Sequence, residues 1–190
     1  MNRALRSQGL VYLMGASGSG KDTLLRRLDE LLRPDDAVLV AHRYITRPGS
    51  AHEASLQLSE AEFARRAALG CFALHWAGHG LRYGIGTEID AWLEQGRAVI
   101  VNGSRVHLAA AAARYPALCA VEVRVAPQVL AQRLAARGRE GPQEIAERLA
   151  RAARPYDVPP GLAVTPLDND GPPEAAALRL LELARARVAR

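Results

Sequence analysis

Five short apolar runs punctuate the chain, at 10–14 (LVYLM), 37–41 (AVLVA), 98–101 (AVIV), 120–125 (AVEVRV) and 162–166 (LAVTP), each of strand length. Between them apolar positions return every three or four residues, which predicts helices over 22–32, 87–95, 105–113, 127–137, 142–154 and 172–190. Pro127, Pro142 and Pro172 stand at helix starts, where a missing N–H costs nothing. Strands alternating with helices predict an α/β fold, a parallel five-stranded sheet covered by helices on both faces. Ligands gather beyond the carboxyl ends of such strands, so the loops after Met14, Ala41, Val101 and Val125 are expected to face one cleft. The stretch 42–85 interrupts the alternation. It holds Ser59-Glu60-Ala61-Glu62, which has capping-box form, then an aromatic, glycine-containing segment from Phe72 to Ile85, and reads as an inserted substrate-binding lobe. Gly138-Arg139-Glu140-Gly141 reads as the turn of a short lid over 137–148. The core of this single domain then comprises 9–41, 97–137 and 155–190.

With 190 residues, 49% hydrophobic and 24% charged, the chain has a core to bury and is not a disordered segment. No apolar run approaches the roughly 18 residues of a membrane span, and Met1 to Leu10 lacks a leader pattern, so a cytoplasmic protein without a membrane partner is expected. Cys71 and Cys119 are too few and too far apart for a disulfide framework or zinc cluster, and read as buried free thiols. A net charge of +5 raises the question of nucleic acid, but only 5% of residues are aromatic and none interleave with a basic stripe. No nucleic-acid partner is expected. Small phosphorylated ligands attract the same charge. Of 25 Lys and Arg residues only Lys21 is a lysine, and its position is informative.

Gly15-Ala16-Ser17-Gly18-Ser19-Gly20-Lys21 follows the first apolar run directly and precedes a helical pattern. G-x-x-x-x-G-K at a strand-to-helix junction is a phosphate-binding loop: backbone N–H groups and the helix N-terminus cradle a di- or triphosphate, and the lysine reaches the outer phosphates. Gly15 to Lys21, with Asp22 and Thr23, are therefore the expected ATP-binding residues. The Ser or Thr that usually follows the lysine and helps to hold Mg²⁺ is Asp22 here. Asp22 either contacts Mg²⁺, directly or through water, or serves the helix dipole.

Arg43 and Arg47 leave a strand end four residues apart, suited to grasp an acceptor phosphate. Arg133 and Arg137 share a helical face, and Arg148 and Arg151 repeat a spacing of three; Lys21, Arg133, Arg137 and Arg148 are the candidates for stabilising a transferring phosphoryl group, with Arg151 on the substrate. Asn102, Ser104 and Arg105 end the third core strand without the acid that often holds a metal there, and offer donors to a sugar or phosphate. Tyr83 either bonds a phosphate or packs. His75, His79 and His107 lack metal-ligand spacing.

GASGSGKD, HRYITR, LSEAEF, LRYGIGTEIDAWLEQG, VIVNGSR and RLAARGRE…EIAERLARAAR together resemble the ribose 1,5-bisphosphate phosphokinases, relatives of guanylate kinase, over nearly the whole chain. The resemblance implies a P-loop kinase that uses ATP and Mg²⁺ to convert a phosphorylated pentose, ribose 1,5-bisphosphate, into 5-phosphoribosyl 1-diphosphate (PRPP) in phosphonate catabolism by the carbon–phosphorus lyase route. Guanylate kinase is the alternative, and a non-catalytic module of the same shape a second one. Against guanylate kinase, His75 stands before Trp76 where that family has a Glu, and Asn102 and Ser104 replace strand-end acids; Tyr44 and Glu53 leave slight room for base recognition. The intact glycine loop argues against the module. Oligomeric state is left open.

Overall fold

The structure is a computed structural model that describes residues 7–47, 55–78, 80–136, 138 and 141–189; Glu53, His79, Arg137 and Arg139 lie outside the described residues. In chain order the elements are β1 (Leu10–Gly15), α1 (Lys21–Leu31), β2 (Val38–Val40), β3 (Arg43–Ile45), β4 (Ser55–Gln57), α2 (Glu60–Ala68), β5 (Phe72–Gly78) and β6 (Leu81–Gly86). They continue with α3 (Glu88–Glu94), β7 (Ala98–Asn102), a 3₁₀ turn (Arg105–His107), α4 (Leu108–Arg114), β8 (Cys119–Arg124), α5 (Pro127–Ala136), α6 (Pro142–Ala152), β9 (Val164–Asp168) and α7 (Pro173–Arg185).

The main sheet runs β2-β7-β1-β8-β9, with every pairing parallel. β1 sits at its centre, and the two-residue period of a strand divides its side chains. Val11 and Leu13 join a core with Leu24, Leu25 and Leu28 of α1 and Ala177, Leu180 and Leu181 of α7. Leu10, Tyr12 and Met14 join another with Ile89 and Leu93 of α3 and Leu108 and Ala111 of α4. Helices thus cover both faces, which explains why the strands read as continuous apolar runs.

The stretch 42–85 carries a second sheet, β4-β3-β6-β5, mixed in direction, with α2 packed through Phe63 onto Phe72. Ser59 caps α2 by accepting from the Glu62 N–H at 3.1 Å, but the Glu62 carboxylate turns to Arg66 at 2.7 Å, so the expected capping box is half made. Three expected boundaries move. The last strand starts at Val164 rather than 162 and includes Pro166, tolerated because β9 is an edge strand bonded on one side only. The stretch 105–107 is a 3₁₀ turn, and the last helix ends at Arg185 rather than 190. Cys119 is buried, whereas Cys71 is exposed, contrary to expectation, because it lies between α2 and β5 rather than on a core-facing strand position. Among the described residues no helix is long and apolar enough to cross a membrane.

Candidate active site

β1 ends at Gly15, and the loop returns to start α1 at Lys21. Gly20 caps the helix in the left-handed conformation (φ 91°), and a Cβ there would stand 2.6 Å from the Asn169 amide nitrogen, so both conformation and space require glycine. The first intrahelical bond runs from Leu24 N to Gly20 O, which leaves the amides of the first turn for an anion. The Lys21 ammonium donates to the carbonyls of Gly15 and Ala16 at 2.9 and 3.2 Å, folded over the loop it serves.

The end of β7, Arg43 at the start of β3 and Tyr12 of β1 meet beside the loop. Asn102, 4% exposed, donates through Nδ2 to Asp22 Oδ1 at 2.7 Å, and its own Oδ1 is buried without a partner among the described residues. Arg43 Nη2 approaches the same Asp22 oxygen at 3.7 Å. Next along, the buried Tyr12 hydroxyl accepts from the Ser104 N–H and donates to the Ser104 carbonyl, while the Tyr12 ring lies so close to Gly103 that no Cβ fits there. Burial pushes the Tyr12 pKa up to about 12, against the opposing pull of the Ser104 hydrogen bond, so the hydroxyl keeps its proton. Asn102 is thus a partner of the phosphate loop rather than a residue lining the cleft, and Ser104 is the strand-end side chain that lines it.

The lobe wall is a stack. Arg43 lies over the Tyr83 ring at 5.2 Å, Tyr83 stacks on Trp76 at 5.6 Å, and Trp76 on His107 at 5.2 Å. The Tyr83 ring packs within this stack, and the residue also lines the cleft. Burial, and secondarily the nearby His75, lower the His107 pKa, so the layer against Trp76 favours neutral imidazole.

The remaining arginines divide. Arg148, on α6, faces the cleft and reaches Ser17 Oγ at 3.5 Å; Arg151, one turn further along α6, lines the same side and pairs with Glu147 at 3.5 Å. Arg105 does otherwise than expected: its guanidinium donates to the carbonyls of Ala152 and Arg151, at 2.8 and 3.3 Å, and lies over the Tyr156 ring. Helix-end carbonyls carry partial negative charge and attract a guanidinium as a phosphate does, so Arg105 clamps α6 rather than presenting its donors to a sugar. Arg133 also departs. It stands beside Gly20 but donates to the Asn169 and Asp170 carbonyls, at 2.7 and 3.3 Å, behind the loop and outside the cleft lining. Arg137 lies outside the described residues.

Two contiguous hollows of 510 and 580 Å³ share Gly15, Ser17, Arg47, Tyr83, Ser104, Val106 and Arg148 and form one cleft. Among the described residues, Lys21, Arg43, Arg47, Arg105, Arg148, Arg151 and Arg154 line it, against a single acid, Asp22. Such a field concentrates polyanions and opposes a negatively charged wall. Among the described residues no cluster of three or more His, Cys, Asp or Glu could hold a metal, which makes Asp22 the carboxylate available to a cation beside the loop.

Two residues escaped the sequence reading. Asn169, 3% exposed, donates to the Ser19 carbonyl at 2.7 Å and braces the phosphate loop from the end of β9; the polar run Asp168-Asn169-Asp170-Gly171 at a strand's carboxyl end is the signal that marks it. Trp76 anchors the lobe wall, and its alternating place in β5 offers no hint of that.

No family profile matches the chain. It is similar to ribose 1,5-bisphosphate phosphokinase PhnN of Achromobacter xylosoxidans, 63% identical over 180 residues that cover 95% of this chain and 94% of that protein. The proteins of the same name from Burkholderia mallei and Thiobacillus denitrificans are 51% and 50% identical, covering 94% and 92% of this chain and 96% and 91% of theirs. Among solved structures, guanylate kinase from Anaplasma phagocytophilum superposes with a TM-score of 0.68 at 15% identity, over 95% of this chain and 87% of that one, a likeness of fold alone.

Proposed function

The chain belongs to the ribose 1,5-bisphosphate phosphokinase family and is a phosphotransferase, and from that premise we propose that it passes the γ-phosphoryl group of ATP to ribose 1,5-bisphosphate, yielding 5-phosphoribosyl 1-diphosphate and ADP. This reaction would serve phosphonate catabolism. The observation that carries the reading is the cleft itself: a phosphate loop and at least five arginines against one carboxylate, suited to two polyanions brought together.

An oxygen of the sugar's anomeric phosphate attacks the γ-phosphorus as the bond to the β–γ bridging oxygen breaks, and ADP leaves. That attacking oxygen is already anionic near neutral pH, so no side chain has to remove a proton. The loop amides and Lys21 hold the ATP phosphates, the ammonium exchanging the Gly15 and Ala16 carbonyls for phosphate oxygens. Arg43, Arg47 and Ser104 hold the acceptor phosphates from the lobe and strand-end side, Tyr83 stiffening Arg43 from beneath. Arg148, with Arg151 behind it, closes on the transferring group as α6 moves over the cleft and excludes water. Asp22, a cleft-facing carboxylate next to the loop, fits a hard divalent cation such as Mg²⁺, which when bound with ATP neutralises charge on the transferring phosphates.

The test is ADP release from ATP and Mg²⁺ with ribose 1,5-bisphosphate or GMP as acceptor, the product read by phosphorus NMR. Turnover with the sugar and a new diphosphate signal are expected. Turnover with GMP alone would overturn the reading in favour of a guanylate kinase.

A further inference from the structure

The phosphate-loop position after the lysine usually carries a hydroxyl and the neighbouring strand end an acid, and both assist the cation. Here the loop carries the acid, Asp22, and the strand end an amide, Asn102. The two side chains come from positions eighty residues apart and meet at 2.7 Å. We propose that Asp22 and Asn102 have exchanged the two chemistries: the loop supplies the cation-facing carboxylate, and the strand-end amide is the positioning residue that aims it. The proposal rests on the kinase reading above and deepens it.

Three features of the pair carry this. A carboxylate only accepts, so the amide nitrogen must be the atom that faces it, and an aspartate at 102 would instead set two negative charges in contact. The described contacts on Asp22, from Asn102 Nδ2 at 2.7 Å and Arg43 Nη2 at 3.7 Å, both fall on Oδ1, which leaves Oδ2 as the oxygen for a cation. The third is an orphan: Asn102 is 96% buried, and its Oδ1 finds no donor among the described residues. A buried acceptor without a donor is uncommon and calls for a reason; a water carried in with the hydrated cation is a donor of the right kind. The amide then serves both sides, steadying the carboxylate through nitrogen and the cation's hydration through oxygen. Outer groups of this sort orient metal-ligating carboxylates and tune the affinity of the site.

The test measures Mn²⁺ binding by electron paramagnetic resonance in the presence of a non-hydrolysable ATP analogue, so that turnover plays no part. Nucleotide affinity without the metal is measured alongside, and circular dichroism checks each variant's fold. Asn102→Ala is expected to weaken Mn²⁺ in the ternary complex by about tenfold or more while metal-free nucleotide affinity stays put. Asn102→Asp alone keeps a cation ligand but sets two carboxylates together, and is expected to shift both affinity and the Mn²⁺ line shape. The reciprocal swap, Asp22→Thr with Asn102→Asp, restores the ordinary arrangement and is expected to recover affinity to within about threefold of wild type. If Asn102→Ala leaves Mn²⁺ affinity and line shape unchanged, or if the swap binds no better than the worse single variant, the exchange is refuted while the kinase reading stands. If the wild type shows no metal-enhanced nucleotide binding, the kinase reading falls and the proposal with it.

Discussion

The Tyr12 hydroxyl both accepts from the Ser104 amide and donates to the Ser104 carbonyl, each at 2.9 Å, so that one buried side chain ties off the turn that follows β7. The ring underneath fills the space where position 103 would otherwise carry a Cβ. The consequence is a strand end held at a fixed height beside the phosphate loop, with Asn102 beneath it and Ser104 at the cleft. Tyr12→Phe keeps the ring but strands both Ser104 backbone groups, and is expected to cost about 1 to 2 kcal/mol in urea denaturation. KM for the phosphorylated sugar should rise more than KM for ATP. An unchanged acceptor KM would show that the turn does not place acceptor-binding groups.

Lys21 rests on two loop carbonyls that it must leave for phosphate, and the loop backbone is shaped by glycines rather than by the lysine. Lys21→Ala is therefore expected to lower turnover by about 10²-fold or more while the thermal midpoint moves little. Steady-state kinetics and a melting curve check both halves. Wild-type rates in this variant would remove the loop from the chemistry.

The sequence exposed those features whose parts are contiguous. Strand, glycine loop and lysine follow one another within a dozen residues, and the alternating elements around them predict a parallel sheet. What it hid is partnership across distance. Asn102 reads as a donor for substrate until the fold sets it against Asp22, and the polar run around Asn169 names no partner until β9 lands beside Ser19, 150 positions away. Arginine is the hardest residue to place in advance, because phosphate oxygens and helix-end carbonyls appeal to the same guanidinium. Arg148 faces the cleft, whereas Arg105 and Arg133 bind backbone. Pro166 already falls inside the predicted run 162–166, but only the sheet order shows that its strand is an edge, where a missing N–H is tolerated.

Arg185 of α7 grips Asp36 through two bonds of 2.8 Å, and the Arg33 amide adds a third; these hydrogen bonds, the guanidinium's foremost, pull the Asp36 pKa from its usual value near 4 down to about 2. A folded-state pKa below the unfolded one means that the contribution is present above about pH 4 and is lost as pH falls through about 2. Asp36→Asn is expected to lower the urea midpoint at pH 7, with the gap from wild type narrowing between about pH 4 and pH 2. A gap independent of pH would mean that the interaction is not ionic.

Arg105 joins the strand-end loop to the far end of the helix that carries Arg148. Its donors hold the carbonyls of Ala152 and Arg151, and its plane lies 5.5 Å over Tyr156, so the helix is fastened at its C-terminus. On the proposed closure of α6 over the cleft, a helix pinned at one end would swing about the pin, and Arg105 would be the pivot about which Arg148 approaches the transferring phosphate. Arg105→Ala should therefore lower kcat by about tenfold and speed proteolytic cleavage within α6, with the acceptor KM little changed. A lysine keeps one donor to those carbonyls but loses the fork and the stacking plane, so Arg105→Lys should recover only part of the rate. If Arg105 instead bound the sugar phosphate, its removal would act first on the acceptor KM and leave proteolysis unaltered. A different one of the two quantities moves under each role, and their joint measurement separates the pivot from the ligand.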